Sequence, residues 1–340
     1  IVGITGTNGK TTTKELIATV LSKKYKTYAT QGNLNNHIGV PLSLLNITKE
    51  HDIAVIEMGA NHPGEIATLA ALVKPNSGLI TNVGMAHIEG FGSFEGVKKT
   101  KAELYSQIKK DDGTIFINTS NPYLTELLGD YDKCFSYATD SISGIIGGHV
   151  AEKGETLNLE WNYNNGQYFN VNTQITGAYN LENVLAAVAV GCFYNVSNND
   201  ICEAISLYKP TNSRSQIVIT DRNRIIMDAY NANPSSMNAS LDNFNSLDYA
   251  NKVVILGAMR ELGIEQYNQH NSIIEKLDKM NLDKVFLVGK EWAEFKTQYP
   301  KFTYVEDALM IKEDVEALSK KNILIKCSRS NKLERTLEWL

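Results

Sequence analysis

The sequence contains little cysteine and no long apolar run. Its four cysteines lie far apart among 340 residues and form no C-x-x-C pair, which argues against a disulfide framework or a cysteine zinc site. They are typical of free thiols in a reducing compartment, and we expect the cytoplasm. No apolar run reaches the roughly 18–20 residues that a membrane span requires, so we expect no membrane span.

The sequence also has no excess of positive charge. The formal net charge is −5, which argues against a general basic surface for nucleic acid, though not against one local basic pocket. No nucleic-acid partner is expected. Apolar residues make up 43% and charged residues 21%, as in ordinary globular proteins, and the length suggests two or three domains. The chain has no initiator methionine and opens directly into an apolar strand, so we expect it to be a piece of a longer protein.

The first half alternates apolar runs with helical patterns, which predicts βαβ units and a mostly parallel sheet. A small antiparallel part should follow, with strands at Thr156–Trp161 and Tyr168–Thr173 joined by an Asn-Asn-Gly turn. The predicted strands are Ile1–Thr5, Ile53–Met58, Gly78–Val83 and Thr114–Asn118, and the predicted helices are Lys10–Tyr25, Pro63–Val73, Phe94–Lys109 and Leu181–Tyr194.

A linker-like stretch near Thr211 marks the predicted boundary between a domain of residues 1–210 and a domain of residues 211–340. A second alternation of strands and helices follows it. The predicted strands are Arg224–Ala229, Lys252–Leu256, Lys284–Val288 and Ile323–Lys326, and the predicted helices are Ser235–Asn245, Glu265–Met280, Asp307–Ser319 and Lys332–Leu340.

The segment from Thr5 to Thr12, TGTNGKTT, connects a predicted strand to a predicted helix. Gly6 and Gly9 allow the backbone to curl so that amide groups face phosphates. Lys10 supplies a cation, and the Thr11 hydroxyl is a ligand for Mg²⁺. The alternative is a glycine turn that only caps the helix. The order of strand, loop, Gly-Lys-Thr and helix favours ATP binding.

Two further side chains follow predicted strands of the same sheet. Glu57 ends one strand and His87 follows another, at the carboxyl edge where open α/β sheets bind ligands. With Thr11 they form a candidate Mg²⁺ site. Taken singly, Glu57 fits a solvated strand end and His87 fits a structural histidine.

Lys101 lies on the apolar seam of its predicted helix, in register with Val97 and Leu104. A lysine in that position snorkels to solvent, pairs with an anion or loses its charge. Periodicity alone favours snorkelling.

These motifs together resemble those of the Mur ligases, the ATP-dependent family that builds the peptidoglycan stem peptide. The resemblance covers essentially the whole chain and is most specific for the branch that adds D-Ala-D-Ala. The motifs are TGTNGKTT (5–12), GNLNN (32–36) with GVP (39–41), EMGANH (57–62), HIEGFGS (87–93), DAYNANP (228–234), RELG (260–263) with His270, and KCSR (326–329).

The resemblance implies a P-loop ATPase domain followed by a Rossmann-like C-terminal α/β domain. It also assigns roles at matching positions. Catalysis would depend on Lys10, Glu57, His87 and Lys101. Mg²⁺ would be held by Thr11, Glu57, His87 and a carbamylated Lys101. ATP would contact Gly6, Thr7, Asn8, Gly9, Lys10, Thr11, Thr12, Asn180, Asn183, Arg214 and Asp228. Substrate would contact Asn35, Asn231, Asn233, Ser328 and Arg329.

The implied activity joins UDP-MurNAc-tripeptide to D-Ala-D-Ala through an acyl phosphate, in a monomeric cytoplasmic enzyme. The family's N-terminal domain, which holds the UDP-sugar, would precede Ile1. Two alternatives stay open: another amide ligase of the superfamily, of Mur or folylpolyglutamate type, and a catalytically silent nucleotide-binding partner protein. The DNPR string usual in the diaminopimelate- or lysine-adding Mur enzyme is not found.

Overall fold

The computed structural model describes residues 1–85, 88–140 and 144–340, and its first nine strands form one sheet. These strands are β1 (Val2–Thr5), β2 (Thr27–Ala29), β3 (Ile53–Glu57), β4 (Ser77–Ile80), β5 (Thr114–Asn118), β6 (Cys134–Ala138), β7 (Ile146–Glu152), β8 (Thr156–Tyr163) and β9 (Tyr168–Thr176).

The spatial order of this sheet is β2-β3-β1-β4-β5-β6-β7-β8-β9. Neighbouring strands run parallel from β2 to β7, and β8 is antiparallel to β7. The predicted fold class is therefore confirmed, including the small antiparallel part. Ile4 pairs with both Glu57 and Leu79, so the ends of β1, β3 and β4 lie side by side at one edge.

Helices connect and cover these strands. They are α1 (Lys10–Leu21), α2 (Gly39–Leu45), α3 (Glu65–Val73), α4 (Ile88–Phe91), α5 (Phe94–Lys110), α6 (Pro122–Leu128), α7 (Leu181–Phe193) and α8 (Asn198–Leu207). α1 packs against α7, which is buried along most of its length. Burial of one large aliphatic side chain contributes about 1.5–3 kcal/mol to the stability of the fold. The packing against α7 therefore holds α1, and the loop between β1 and α1, in place.

A second sheet of six strands is built from the C-terminal part of the chain, in the order β10-β11-β15-β12-β13-β14. β10 pairs antiparallel with β11, and the other pairs are parallel. The strands are β10 (Gln216–Ile219), β11 (Arg224–Asp228), β12 (Lys252–Gly257), β13 (Lys284–Val288), β14 (Thr303–Val305) and β15 (Asn322–Lys326), and the helices are α9 (Pro234–Ser246), α10 (Gln266–Lys279) and α11 (Lys312–Glu316).

Strand β12 is buried on both faces of this sheet. Val254 and Leu256 belong to one apolar cluster, with α9 and α10, while Val253 and Ile255 belong to a cluster on the other side. Successive side chains of a strand point to opposite faces, so a continuous apolar run is what a central strand between two helical layers requires.

Two predicted helices are wrong in part. Lys332–Leu340 contains a 3₁₀ helix over Leu333–Trp339, whose buried residues recur every three positions as a 3₁₀ helix requires. Asp307–Ser319 divides into a 3₁₀ turn at Ala308–Ile311 and the short α11. Helix α8 was not predicted at all, although Ser197 caps it.

The chain divides into two compact units. The first comprises most of residues 1–208, and the second contains Lys209–Leu340 together with Gln174–Gly177. Among the described residues, no helix has both the length and the apolarity needed to cross a bilayer.

Candidate active site

The loop between β1 and α1 is shaped by two glycines. Gly6 has φ 143° and Gly9 has φ 79°, a region that side-chain-bearing residues adopt at a cost. A Cβ on Gly6 would lie 2.0 Å from Oγ1 of Thr81, and one on Gly9 would lie 2.4 Å from Oδ1 of Asn183. Both positions therefore require glycine because of the backbone angle and the lack of space.

Lys10 folds back over this loop. Its Nζ donates hydrogen bonds to the carbonyl oxygens of Gly6 at 2.8 Å and Thr7 at 3.0 Å. In the described part of the chain, no side chain caps the first turn of α1. A cation and a helix N-terminus at the same loop form an arrangement that attracts phosphate.

The residues after β4 hold the loop in place. The amide of Asn8 donates to Oδ1 of Asn82 at 2.9 Å, and the Thr81 hydroxyl donates to the carbonyl of Asn8 at 2.6 Å. Thr7 donates its backbone N–H to the carbonyl of Asn82 at 3.0 Å. Thr81 and Asn82 were not predicted as site residues, because the predicted strand Gly78–Val83 included them, whereas β4 ends at Ile80.

Glu57 is buried at the end of β3, and only one of its two carboxylate oxygens accepts hydrogen bonds from the described residues. Oε1 accepts hydrogen bonds from the hydroxyl of Thr11 at 3.2 Å and from Nδ2 of Asn35 at 2.7 Å. Oε2 has no hydrogen-bond partner among the described residues. Lys14 lies near it, with 3.9 Å between Nζ and Oε2.

A buried carboxylate oxygen without a hydrogen bond beside a threonine hydroxyl fits Mg²⁺, which prefers hard oxygen ligands. The predicted ligand His87 lies outside the described residues. Within those residues, no cluster of three histidine, cysteine or acidic side chains forms a metal site. The described residues thus bring together two of the predicted ligands, Thr11 and Glu57.

Lys101 is buried on α5, with 3% of its surface exposed, which argues against snorkelling. Its Nζ lies 5.4 Å from the centre of the Phe91 ring. Burial, and then the positive charge of Lys10, lower the pKa of Lys101 to about 7. A substantial fraction of this lysine is therefore neutral near neutral pH.

Asn180 and Asn183 lie at the start of α7, under the phosphate loop. Nδ2 of Asn183 donates to Oδ1 of Asn180 at 2.8 Å, and Oδ1 of Asn183 accepts from the Thr13 hydroxyl at 3.0 Å. Asn183 thus supports Gly9 and the first turn of α1. Contact of these two residues with adenine stays a prediction.

Within the second unit, basic residues gather around one tyrosine. The guanidinium carbon of Arg214 lies 3.6 Å from the centre of the Tyr230 ring, and that of Arg329 lies 5.6 Å from it. No carboxylate of the described residues pairs with either arginine, and Nε of Arg214 is buried without a hydrogen bond. Nearby, Nζ of Lys326 donates to Oδ2 of Asp228 at 2.6 Å.

The predicted substrate residues of DAYNANP and KCSR have local structural contacts. Oδ1 of Asn233 accepts from the amide of Ser236 at 2.9 Å and caps α9 in a capping box. Oδ1 of Asn231 accepts from the amide of Ala232 at 3.0 Å, and the Ser328 hydroxyl donates to the carbonyl of Ala232 at 3.4 Å. An asparagine-proline pair before a helical pattern was a capping signal that sequence analysis overlooked.

Comparison with known proteins agrees with this geometry. The Mur ligase middle domain matches residues 4–191, and the Mur ligase, glutamate ligase domain matches residues 213–327. Two curated relatives are both UDP-N-acetylmuramoyl-tripeptide–D-alanyl-D-alanine ligases. The Bacillus subtilis protein is 34% identical over 352 residues, covering 100% of this chain and 75% of the relative. The Escherichia coli protein is 31% identical over 350 residues, covering 100% and 76%.

Solved structures give the same result. MurF from Acinetobacter baumannii superposes with a TM-score of 0.89 at 28% identity, covering 99% of this chain and 75% of that one. MurF ligase from Thermotoga maritima in complex with ADP superposes with a TM-score of 0.87 at 27% identity, covering 99% and 78%. Since both units match in sequence and in fold, and the Gly-Lys-Thr loop meets a buried glutamate within the first, the chain belongs to the Mur ligase family.

Proposed function

We propose that this chain is an ATP-dependent amide ligase that adds D-Ala-D-Ala to UDP-MurNAc-tripeptide in peptidoglycan precursor synthesis. The observation that carries the proposal is the contact of Thr11 and Asn35 with Glu57, which joins the phosphate loop, the GNLNN segment and a buried carboxylate. The activity of the relatives at 34% and 31% identity supports this substrate pair.

Mg²⁺ fits the same residues. The Thr11 hydroxyl and Oε2 of Glu57 would hold it, with His87 and a modified Lys101 as the further ligands that the family resemblance supplies. Bound Mg²⁺ would screen the charge of the triphosphate, so that a carboxylate can approach it. Lys10 would add a second cation at the same loop.

The reaction needs two steps. In the first, a carboxylate oxygen of the tripeptide attacks the γ-phosphorus of ATP, and the bond to the ADP oxygen breaks, giving an acyl phosphate. In the second, the amine of D-Ala-D-Ala attacks the acyl carbon, loses a proton, and phosphate leaves as the amide forms. Lys10 and the amides of the first turn of α1 would stabilise the charge that moves between the phosphate oxygens.

Carbamylation of Lys101 is the second part of the proposal. The reaction joins the neutral amine to CO₂ with loss of a proton, and the pKa of about 7 supports a neutral amine under ordinary conditions. The product is an anion, which would suit a site that holds Mg²⁺. Burial thus supplies the neutral amine that the modification needs, and Mg²⁺ would compensate the negative charge of the carbamate.

The remaining residues are assigned by the same resemblance. We assign Gly6, Thr7, Asn8, Gly9 and Thr12 to the phosphates, Asn180 and Asn183 to adenine, and Asp228 to the ribose. Arg214 and Arg329, which have no carboxylate partner among the described residues, suit anionic groups. We further propose that the protein is a cytoplasmic monomer. We place the boundary between its two domains near Thr211.

A phosphate-release assay tests the activity. The full-length protein is mixed with ATP, Mg²⁺ and UDP-MurNAc-tripeptide, and D-Ala-D-Ala, L-lysine, diaminopimelate or glutamate is added as the amine. We expect release with D-Ala-D-Ala alone and none from Lys10→Ala, whereas Lys23→Met, a surface control, should match the parent. Release driven by a single amino acid would favour another ligase of the superfamily, and absence of release with every amine would favour a silent protein.

A further inference from the structure

Lys14 is a buried lysine for which the proposed mechanism has no role. It lies on α1 one turn after Lys10, and only 2% of its surface is exposed. Its Nζ donates to the carbonyl of Gly32 at 3.2 Å. Two carboxylates lie near it, Oε1 of Glu15 at 3.9 Å and Oε2 of Glu57 at 3.9 Å.

The two carboxylates differ in their exposure to solvent and in their other hydrogen-bond partners. The Glu15 side chain is 28% exposed, and its Oε2 accepts a hydrogen bond from the Tyr208 hydroxyl at 2.5 Å. Glu57 is 1% exposed, and its Oε2 has no hydrogen-bond partner in the described part of the chain. A buried carboxylate oxygen without a partner is costly, so Lys14 compensates Glu57 far more than Glu15.

We propose that Lys14 is a positioning residue that serves as the internal counterion of Glu57 when no Mg²⁺ is bound. This inference rests on the proposed function, because it assumes that Glu57 binds Mg²⁺. At 3.9 Å the two opposite charges attract each other, and burial reduces the screening of that attraction by water. Lys14 therefore stabilises the metal-free protein, and it opposes a second cation at the same oxygen.

Lys14 also fixes where the carboxylate points. Asn35 donates to Oε1 of Glu57, while Lys14 faces Oε2 and at the same time holds the carbonyl of Gly32. Gly32 and Asn35 belong to one segment, GNLNN. The metal-binding carboxylate is thus held from both sides by α1 and by that segment, and it stays oriented before Mg²⁺ arrives.

A double-mutant cycle in chelator tests the ion pair without nucleotide. The thermal midpoint is measured for the parent, Lys14→Met, Glu57→Gln and the double variant, with Lys23→Met as the surface control. We expect Lys14→Met to lower the midpoint clearly, and the double variant to regain at least half of that loss, because the buried charge has gone. If Lys14→Met fails to fold but the double variant folds, that result also supports the ion pair between Lys14 and Glu57. Additive shifts would overturn it.

A Mg²⁺ titration tests the competition. ADP binding is followed by calorimetry while Mg²⁺ is raised, for the parent, Lys14→Met and Lys23→Met. Removal of the opposing charge should lower the Mg²⁺ concentration needed for half-maximal binding by about tenfold in Lys14→Met. An unchanged or higher requirement would overturn the counterion role. A parent that binds no ADP with Mg²⁺ would instead refute the proposed function, and the cycle in chelator would then decide the role of Lys14 by itself.

Discussion

The hydroxyl of Thr11 donates to Oε1 of Glu57 at 3.2 Å, although the two residues are 46 positions apart. They meet because β1 and β3 are parallel neighbours whose carboxyl ends reach the same edge of the sheet. The loop that follows one strand and the carboxylate that ends the other are therefore one hydrogen-bonded unit. A substitution in either element should therefore disturb the other.

Gly9 should be more sensitive to alanine than a glycine with the same backbone angle. Gly9 and Gly64 have φ 79° and φ 83°, but a Cβ on Gly9 would lie 2.4 Å from Asn183, and one on Gly64 would meet no described atom within 4 Å. Gly64→Ala should cost about 1 kcal/mol of unfolding free energy, from the angle alone. Gly9→Ala should cost at least about 1 kcal/mol more.

Urea unfolding of the two alanine variants measures this difference. Adding Asn183→Ala to Gly9→Ala should restore part of the loss, because it removes the clashing amide. Equal losses of unfolding free energy in Gly9→Ala and Gly64→Ala would show that the loop accommodates the added methyl group at no cost. That result would contradict a rigid phosphate loop.

Lys101 should make stability rise with pH in the alkaline range. Its folded pKa is about 7, below the 10.5 of an unperturbed lysine. Between these values the unfolded chain binds more protons, so unfolding free energy increases as pH rises from about 7 towards 10.5. The gain should be roughly 4–5 kcal/mol at most, since each pKa unit corresponds to about 1.4 kcal/mol.

The comparison is with Lys101→Met, in buffers freed of CO₂ so that the amine stays unmodified. The difference in unfolding free energy between the parent and Lys101→Met should change steadily from about pH 7 to 10.5. It should be constant below pH 7. Curves that run parallel throughout would mean that Lys101 keeps an ordinary pKa.

Carbamylation of Lys101 should be visible by carbon NMR. With isotopically labelled bicarbonate, the parent should show a carbamate signal that Lys101→Met lacks. Lys101→Ala should be nearly inactive and partly rescued by short carboxylic acids, which restore an anion where the carbamate had been. Full activity in Lys101→Ala, or no labelled carbamate in an active parent, would exclude the modification.

His270 should weaken the second unit in acid. It is buried, its Nε2 accepts from the amide of Met259 at 3.2 Å, and its Nδ1 lies 2.8 Å from the carbonyl of Gln266. Burial lowers the pKa of His270 below 6.5, so stability is lost as pH falls below about 6.5, where the unfolded chain takes up the proton first. Protonation would break the Met259 contact.

The pH dependence of unfolding in His270→Gln should therefore be shallower below pH 6.5 than in the parent, by at most one proton. His37→Gln, at an exposed histidine, is the matched control substitution. Equal slopes for the parent and His270→Gln would contradict the assignment.

Much of the fold followed from periodicity. Strands such as Thr114–Asn118 and Lys284–Val288 were predicted with their observed bounds because β-rich apolar runs end at turn residues. Leu333–Trp339 was assigned the wrong kind of helix, because short apolar repeats at spacings of three and four are hard to distinguish.

Only some residues of the candidate site were predicted from the sequence. The Gly-Lys-Thr loop was recognisable from its order of strand, loop and helix, and Glu57 from its place at the end of a strand; their binding of phosphate and metal stays a prediction. Lys14 was missed, although its spacing to Ile17 and Leu21 is the same kind of seam that singled out Lys101. Its partners, Gly32 and Glu57, are distant in sequence and could not be inferred from local pattern.

An isotope-transfer experiment tests the central claim, an amide ligase that works through an acyl phosphate. The terminal carboxylate of UDP-MurNAc-tripeptide is labelled with heavy oxygen, and the phosphate released during ligation to D-Ala-D-Ala is analysed by mass spectrometry. Attack of the carboxylate on the γ-phosphorus leaves a carboxylate oxygen on the departing phosphate, so we predict one labelled oxygen per phosphate for each amide bond formed. Unlabelled phosphate in step with amide formation, or phosphate release without an amide product, would contradict the account.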